Sequence, residues 1–248
     1  MDAPDISFEP VDSMIMEAVY WCGIQGYEGI VSDLWERLCR RSRSILEIGG
    51  NVGIFTVIGG KVAPGKYTVV EPVAEVASIL RQNLHRNDIR NVEVVEGAAI
   101  ASDIFSDVTL TIPREQHAVP VGAGLVEGSE IRGRTIAGTV RVRGIPIRSL
   151  VTGRDLIKID AEGIEAALLT ASQDIIRAAR PTLVVEVLPQ ATGLGKYLAA
   201  LAEEVGYNIA VIPEWGTETL VPVDARVFSS GVPASYRSKD VVLSTQPL

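Results

Sequence analysis

Aromatic residues make up only 5% of this 248-residue chain, and it has just two cysteines and two histidines. Cys22 and Cys39 lie in the N-terminal part with no metal-ligand spacing around them, so neither a disulfide framework nor a zinc site is expected; both read as buried thiols. Excess positive charge is also missing. The net charge is −8 and the isoelectric point about 4.9, which argues against a nucleic-acid or anionic-membrane partner. No apolar run reaches the roughly 18 to 20 residues of a membrane span, and the opening MDAPDISFEP lacks the basic-then-apolar pattern of a signal peptide. The expectation is therefore a cytoplasmic protein.

What the chain does have is aliphatic residues, in short runs. Hydrophobic residues reach 47%, as expected where parallel strands are buried on both faces by helices. Residues 1–43 read as a mixed opening followed by a lead-in helix, with Ile30, Leu34 and Leu38 on one face and Arg37, Arg40 and Arg41 toward its end. From Ser44 a strand-and-helix rhythm begins and continues to residue 248. Strands are expected at Ile45–Ile48, Tyr67–Val70, Val92–Val95, Leu156–Ile159, Leu183–Val187, Ile209–Ile212 and Val241–Ser244. Helices are expected from Asn51 to about Lys61, Val73 to about Arg86, Ile164 to Ala178 and Leu194 to Val205.

This alternation implies an α/β Rossmann-like fold: a seven-stranded, mostly parallel, doubly wound sheet with an antiparallel closing strand. Residues 101–150 break the rhythm and read as a β-hairpin insertion or lid, with strands at Val108–Ile112 and Thr139–Val142 around a glycine-rich loop. Gly122, Gly124 and Gly128 suggest mobility there.

In open α/β sheets ligands bind beyond the carboxyl ends of the strands, so the residues just after each aliphatic run carry the information. Gly49, Gly50, Asn51 and Gly53 follow the first run and allow close backbone approach at a helix N-terminus. Glu71 follows the second, 24 residues beyond Glu47, where a carboxylate can accept hydrogen bonds from both hydroxyls of a ribose. Glycine turns alone also occur in α/β proteins that bind nothing there. A nicotinamide oxidoreductase is the sharper rival, but its G-x-G-x-x-G is absent; the chain has E-x-G-G-N-x-G instead.

Four segments, EIGGNVGIFT at 47–56, EP at 71–72, NLHRN at 83–87 and IKIDAEGIE at 157–165, resemble the motifs of the FkbM methyltransferase family. The likeness runs from about Tyr27 to Glu186, with two departures: Glu47 stands for the usual Asp and Gly50 for the usual Ala. The resemblance implies S-adenosylmethionine as cofactor and S-adenosylhomocysteine as product. Carried over, Glu47, Gly49, Gly50, Asn51 and Gly53 would cradle the methionine portion, Glu71 and Pro72 the ribose, and Gly97 and Ala98 the adenine; Asp160 and Glu162 would face the sulfonium and the acceptor.

The implied reaction is methylation of a hydroxyl on a small molecule or glycan, such as a sugar, glycolipid or polyketide, in natural product biosynthesis. An N-methyltransferase on the same fold and a non-catalytic cofactor-binding protein are the alternatives. Methyl transfer needs the acceptor oxygen held in line and a base for its proton. Asp160, His117 and Glu186 are the candidates, in that order; for His117 a solvated loop histidine is an equal reading, and His85 reads as surface. Asp160, Glu162, Glu165 and Glu186 raise the question of a divalent metal, which is not expected. Lys158 reads as an ion-pair partner within the sheet. Arg132, Arg134, Arg141, Arg143 and Arg148 read as solvated hairpin residues or, alternatively, as contacts to an anionic acceptor. A homodimer is left open.

Overall fold

The computed structural model describes residues 6–114, 117–119, 122–124, 130–131, 134–188, 192–213, 220–229 and 239–248. Five strands form a parallel block: β1 (Ser44–Ile48), β2 (Lys66–Glu71), β3 (Val92–Glu96), β8 (Leu156–Ile159) and β9 (Thr182–Glu186), numbered in chain order. Between them run α3 (Ile54–Val62), α4 (Ala74–Arg86), α6 (Glu165–Ala171) and α7 (Gln173–Ala179). α8 (Thr192–Val205) leads to β10 (Asn208–Ile212), β11 (Val221–Val223), α9 (Ala225–Phe228) and β12 (Asp240–Ser244). The sheet order is β11-β10-β12-β9-β8-β1-β2-β3.

The sheet is thus mixed and eight-stranded rather than seven-stranded. β12 enters antiparallel between β9 and β10, as the antiparallel finish predicts, but β11 adds a further antiparallel edge strand on β10. Its three residues, Val-Pro-Val, carry too short a pattern to read as a strand, and a proline is tolerated at a sheet edge because no outer partner needs its missing N–H. The expected helix at 164–178 is two helices. At Ser172 the chain leaves helical geometry (φ −113°, ψ 11°), and the serine hydroxyl donates back to the Leu168 carbonyl at 2.8 Å.

Both faces of the inner strands β1, β2, β8 and β9 are buried, which is why they read as mostly aliphatic runs, whereas the edge strand β3 is only partly covered. Leu46, Ile48, Ile157, Ile159, Leu183 and Val185 pack under α6 and α8, through Leu168, Leu169, Leu198 and Leu201. Alternate residues, including Ile45, Tyr67, Val69, Leu156 and Val184, pack on the other face against Trp35, Leu38, Leu80 and Leu84. Trp35 and Leu38 belong to α2 (Gly29–Arg41), the lead-in helix; its Leu34 is also buried.

The N-terminal segment holds a second helix, α1 (Met14–Cys22), for which the mixed opening carries no clear period. Cys22, at its end, is exposed and only Cys39 is buried, which corrects the expectation for that thiol. The insertion forms a second sheet together with β4 (Ala98–Ile100), which precedes it: β4, β5 (Ser106–Pro113) and the long β7 (Arg134–Pro146) in the order β4-β7-β5, with β6 (Glu130–Ile131) paired to β7. β5 and β7 pair antiparallel with Val108 opposite Val142 and Thr111 opposite Thr139, the hairpin read from the alternation. No helix among the described residues is long and apolar enough to cross a membrane.

Candidate functional site

The strand order reverses between β1 and β8: from β1 the sheet grows one way through β2 and β3, and from β8 the other way through β9. A cavity opens at the carboxyl ends of these strands, where such a reversal splays the following loops apart. Gly49, Gly50, Asn51, Glu71, Pro72, Gly97, Ala98, Asp160, Glu162 and Glu186 all line it.

The turn after β1 is built around glycine for steric reasons. Gly49 has φ +86°, and a Cβ there would lie 1.9 Å from the Asp160 carbonyl oxygen. Gly53 has φ +94°, beside Leu80. Its left-handed conformation delays the start of α3 to Ile54, three residues beyond the Asn51 start expected from the pattern.

Asn51 is also left-handed (φ +49°), and its N–H donates to Glu71 Oε2 at 2.8 Å. The other oxygen, Oε1, accepts from the Val73 N–H at 3.0 Å. Each oxygen of a carboxylate offers about two acceptor positions, so one on each remains beyond these backbone bonds. Burial pushes the Glu71 carboxyl up to about 7, against the lowering effect of the Val73 and Asn51 amides.

Glu47 is placed differently from its expected role. It is fully buried on the face of the sheet that meets α2 and α3, outside the cavity lining, and its Oε2 accepts from Thr56 Oγ1 at 2.7 Å and from the Tyr67 hydroxyl. Its Oε1 has no hydrogen-bond partner among the described residues. Burial lifts this carboxyl too to about 7, with Lys158 opposing. Gly53 likewise lies outside the lining and acts through the path of the turn.

Just beyond β8, Asp160 Oδ2 meets the Lys158 ammonium at 3.1 Å, the ion pair expected for that lysine. Lys158 is buried, and its charge stands 4.6 Å from the centre of the Phe55 ring. Burial works against that charge, but Asp160 and then Glu47 outweigh it and hold the lysine above its usual range. Glu162 is held left-handed (φ +56°) in the turn after β8. Glu165 Oε1 accepts the Ala161 and Gly163 N–H groups of that turn at 2.9 and 3.0 Å, so this carboxylate serves the backbone. No group of three metal-ligating side chains occurs among the described residues.

Glu186 closes β9 and is paired to Lys239 at 3.0 Å; the same ammonium reaches Glu28 at 2.8 Å. Lys239 and Tyr27 both line the cavity, and neither stands out in the sequence, because each comes from a segment without a motif. Burial, then the Glu28 charge, raises the Tyr27 hydroxyl pKa.

His117 is not among the lining residues. Its Nδ1 is 2.8 Å from Asp12 Oδ1 and its Nε2 is 3.6 Å from Glu17 Oε2, so it joins the insertion to the N-terminal segment instead of serving as a base in the cavity. The arginines are engaged elsewhere as well. Arg148 forks onto Asp174, Arg141 pairs with Asp107 at 3.1 Å, and Arg143 stacks 5.1 Å from the Phe105 ring centre. None of these three is among the residues that line the cavity. Arg132 and Gly128 lie outside the described residues, as does the Arg134 side chain. Gly122 and Gly124 line the cavity, but Gly124 is bridged to Thr111 by two backbone hydrogen bonds, at 2.9 and 3.2 Å, and so is pinned to β5. His85 is exposed on α4, as expected.

The asparagines of the NLHRN segment gain a role that their spacing on a helix does not reveal. Asn83 Nδ2 donates to the Val52 carbonyl at 2.7 Å, and Asn83 Oδ1 accepts the Glu9 N–H at 2.6 Å. Asn87 exchanges two bonds with the Ser7 backbone, at 3.1 and 2.7 Å. Together they fasten the N-terminal segment and the glycine turn to α4.

A family model described as the methyltransferase FkbM domain matches residues 47–209. Among solved structures, the chain is similar to a methyltransferase FkbM from Methylobacillus flagellatus KT, at 15% identity and a TM-score of 0.49 over 82% of this chain. It spans 43% of the length of that protein. An O-methyltransferase from Bacillus cereus in complex with SAH is similar at 14% identity and a TM-score of 0.49, over 94% of this chain and 90% of that one. A precorrin-6y C5,15-methyltransferase from Geobacter metallireducens GS-15 follows at 13% identity and a TM-score of 0.43, over 86% and 85% of the two chains. No protein of curated function matches.

Proposed function

The chain belongs to the FkbM methyltransferase family, and we propose that it methylates a hydroxyl of a small molecule or glycan with S-adenosylmethionine as donor. The observation that carries the cofactor reading is the Glu71 carboxylate. It is buried at the carboxyl end of β2, lines the cavity, is oriented by two backbone amides, and keeps one acceptor position on each oxygen for a vicinal diol. Gly97 and Ala98 next to it leave room for a flat base, and the Gly49–Gly50 turn brings backbone within reach of the amino-acid end.

Bound in this way, the cofactor supplies an electrophilic methyl group on a sulfonium. The protein's part is to hold the acceptor oxygen in line with that methyl and to take its proton. Asp160, anchored by Lys158, is the carboxylate beside the glycine turn and is the base in this reading; Glu186, anchored by Lys239, would hold the acceptor from the neighbouring strand. Both carboxylates are oriented by ammonium groups. This favours fixed geometry over strong basicity, which suits an in-line displacement at a reactive sulfonium.

The test begins with binding. S-adenosylhomocysteine should raise the melting temperature, and Glu71→Ala should weaken its binding by about 2–3 kcal/mol, roughly 30- to 150-fold, the worth of hydrogen bonds to a charged group. Transfer of labelled methyl to a panel of hydroxyl-bearing sugars and polyketides then identifies the acceptor. Asp160→Asn should abolish transfer while retaining cofactor binding. No thermal shift at millimolar S-adenosylhomocysteine would refute the cofactor reading, and methyl transfer to amines alone would refute the oxygen acceptor.

A further inference from the structure

The segment from Ile6 to Glu17 is fastened at its two ends by very different bonds. At its beginning, the Ser7 and Glu9 backbones are held by Asn87 and Asn83, both buried. Breaking these bonds would strand polar groups in the interior, so this end has a high cost of release.

At its far end, Asp12 gathers three successive residues of the insertion. Its Oδ1 meets His117 Nδ1 at 2.8 Å, its Oδ2 accepts the Ala118 N–H at 3.0 Å, and its main-chain carbonyl accepts the Val119 N–H at 3.0 Å. Glu17 Oε2 adds a looser contact to His117 at 3.6 Å. These side chains face water: 62% of the Asp12 side chain and 59% of that of Glu17 are exposed. His117 itself is only 24% exposed, but pairs whose carboxylates stand in water are screened and contribute little to stability, so these bonds open more readily than those of the Asn83–Asn87 anchor.

The joint also stands between two walls of the cavity. Met14 and Ile15, just after Asp12, line it from the N-terminal side; Pro113 and Gly122, either side of His117, line it from the insertion. Val119 is buried in the same apolar cluster as Ile15 and Met16, so the two walls are packed together at the joint.

We propose that Asp12 and His117 are positioning residues that latch the N-terminal segment to the insertion, and that the cofactor enters and leaves by opening this latch while the Asn83–Asn87 anchor stays shut. The cofactor half of this proposal rests on the reading of the preceding section; the latch itself does not.

Stopped-flow binding of S-adenosylhomocysteine, followed by intrinsic tryptophan fluorescence, tests the gate. Asp12→Ala and His117→Phe should each raise the association and dissociation rate constants about tenfold, with a smaller change in Kd. Rate constants within twofold of the wild type in both variants would overturn the gate.

Amide hydrogen exchange on the ligand-free protein tests the latch separately. Asp12→Ala should speed exchange at Ala118 and Val119 at least tenfold and leave Ser7 and Glu9 unchanged. Unchanged protection at Ala118 and Val119, or equal acceleration at Ser7 and Glu9, would overturn the latch. If the wild type bound no S-adenosylhomocysteine, the cofactor reading and the gate would fall together, and the exchange result would still decide the latch.

Discussion

Replacing Asn83 with alanine removes two hydrogen bonds from a side chain that has no solvent exposure, and with them the tie between the glycine turn and the N-terminal segment. Each bond is worth about 1 kcal/mol net, and the Val52 carbonyl, buried with its residue, loses its side-chain donor at a further cost of about 1–2 kcal/mol. The Glu9 amide is only partly buried and can recover a water. The expected loss is therefore about 2–4 kcal/mol, which for a chain of this size lowers the melting temperature by roughly 4 to 16 °C.

Asn87→Ala is the matched control. It loses bonds to Ser7 and to the Asn83 carbonyl but touches nothing in the glycine turn. Both variants should be destabilised in urea titrations, whereas only Asn83→Ala should also weaken S-adenosylhomocysteine binding, about tenfold, because only there is Val52 released from α4. A loss below about 0.5 kcal/mol for Asn83→Ala, or equal effects of the two variants on cofactor affinity, would refute the coupling of turn and segment.

Gly49→Ala would set a Cβ 1.9 Å from the Asp160 carbonyl at a φ of +86°, so it should abolish cofactor binding and destabilise by about 3 kcal/mol or more, read by calorimetry and thermal melts. Gly53→Ala, whose Cβ would meet Leu80 at 3.1 Å, should be milder in both assays. Glu47→Gln tests the buried carboxyl through pH. With its folded pKa raised from the usual 4.5 to about 7, the unfolded chain ionises first as pH rises, so wild-type stability drains away between about pH 4.5 and 7. The variant should match the wild type below pH 4.5 and exceed it by on the order of a few kcal/mol above pH 7. A difference in urea midpoint that does not vary with pH would contradict the burial argument.

The aliphatic runs, the glycine turn and the carboxylate at the end of β2 were legible because each is a local matter. A parallel strand covered on both faces must be aliphatic throughout, and a left-handed turn pressed against a neighbouring carbonyl must be glycine at Gly49. The Ser172 break and β11 were not legible, since one is a side chain competing for its own helix and the other a three-residue edge. At the site, the motif residues Gly49, Asn51, Glu71 and Asp160 converge on one cavity, while Glu47, alike in chemistry to its neighbours, is turned to Tyr67 and Thr56.

The sequence by itself thus determined which segments are the parallel strands, where the chain turns at their carboxyl ends, and which residue types stand there. The tertiary structure alone decided who meets whom across long separations: His117 with Asp12, Glu186 with Lys239, and Asn83 with Glu9. The physical reason is that burial and backbone sterics act on a residue through its near neighbours and leave a period in the sequence. A hydrogen bond or ion pair between distant segments depends on the path of the whole chain, and its partners carry no mark of each other.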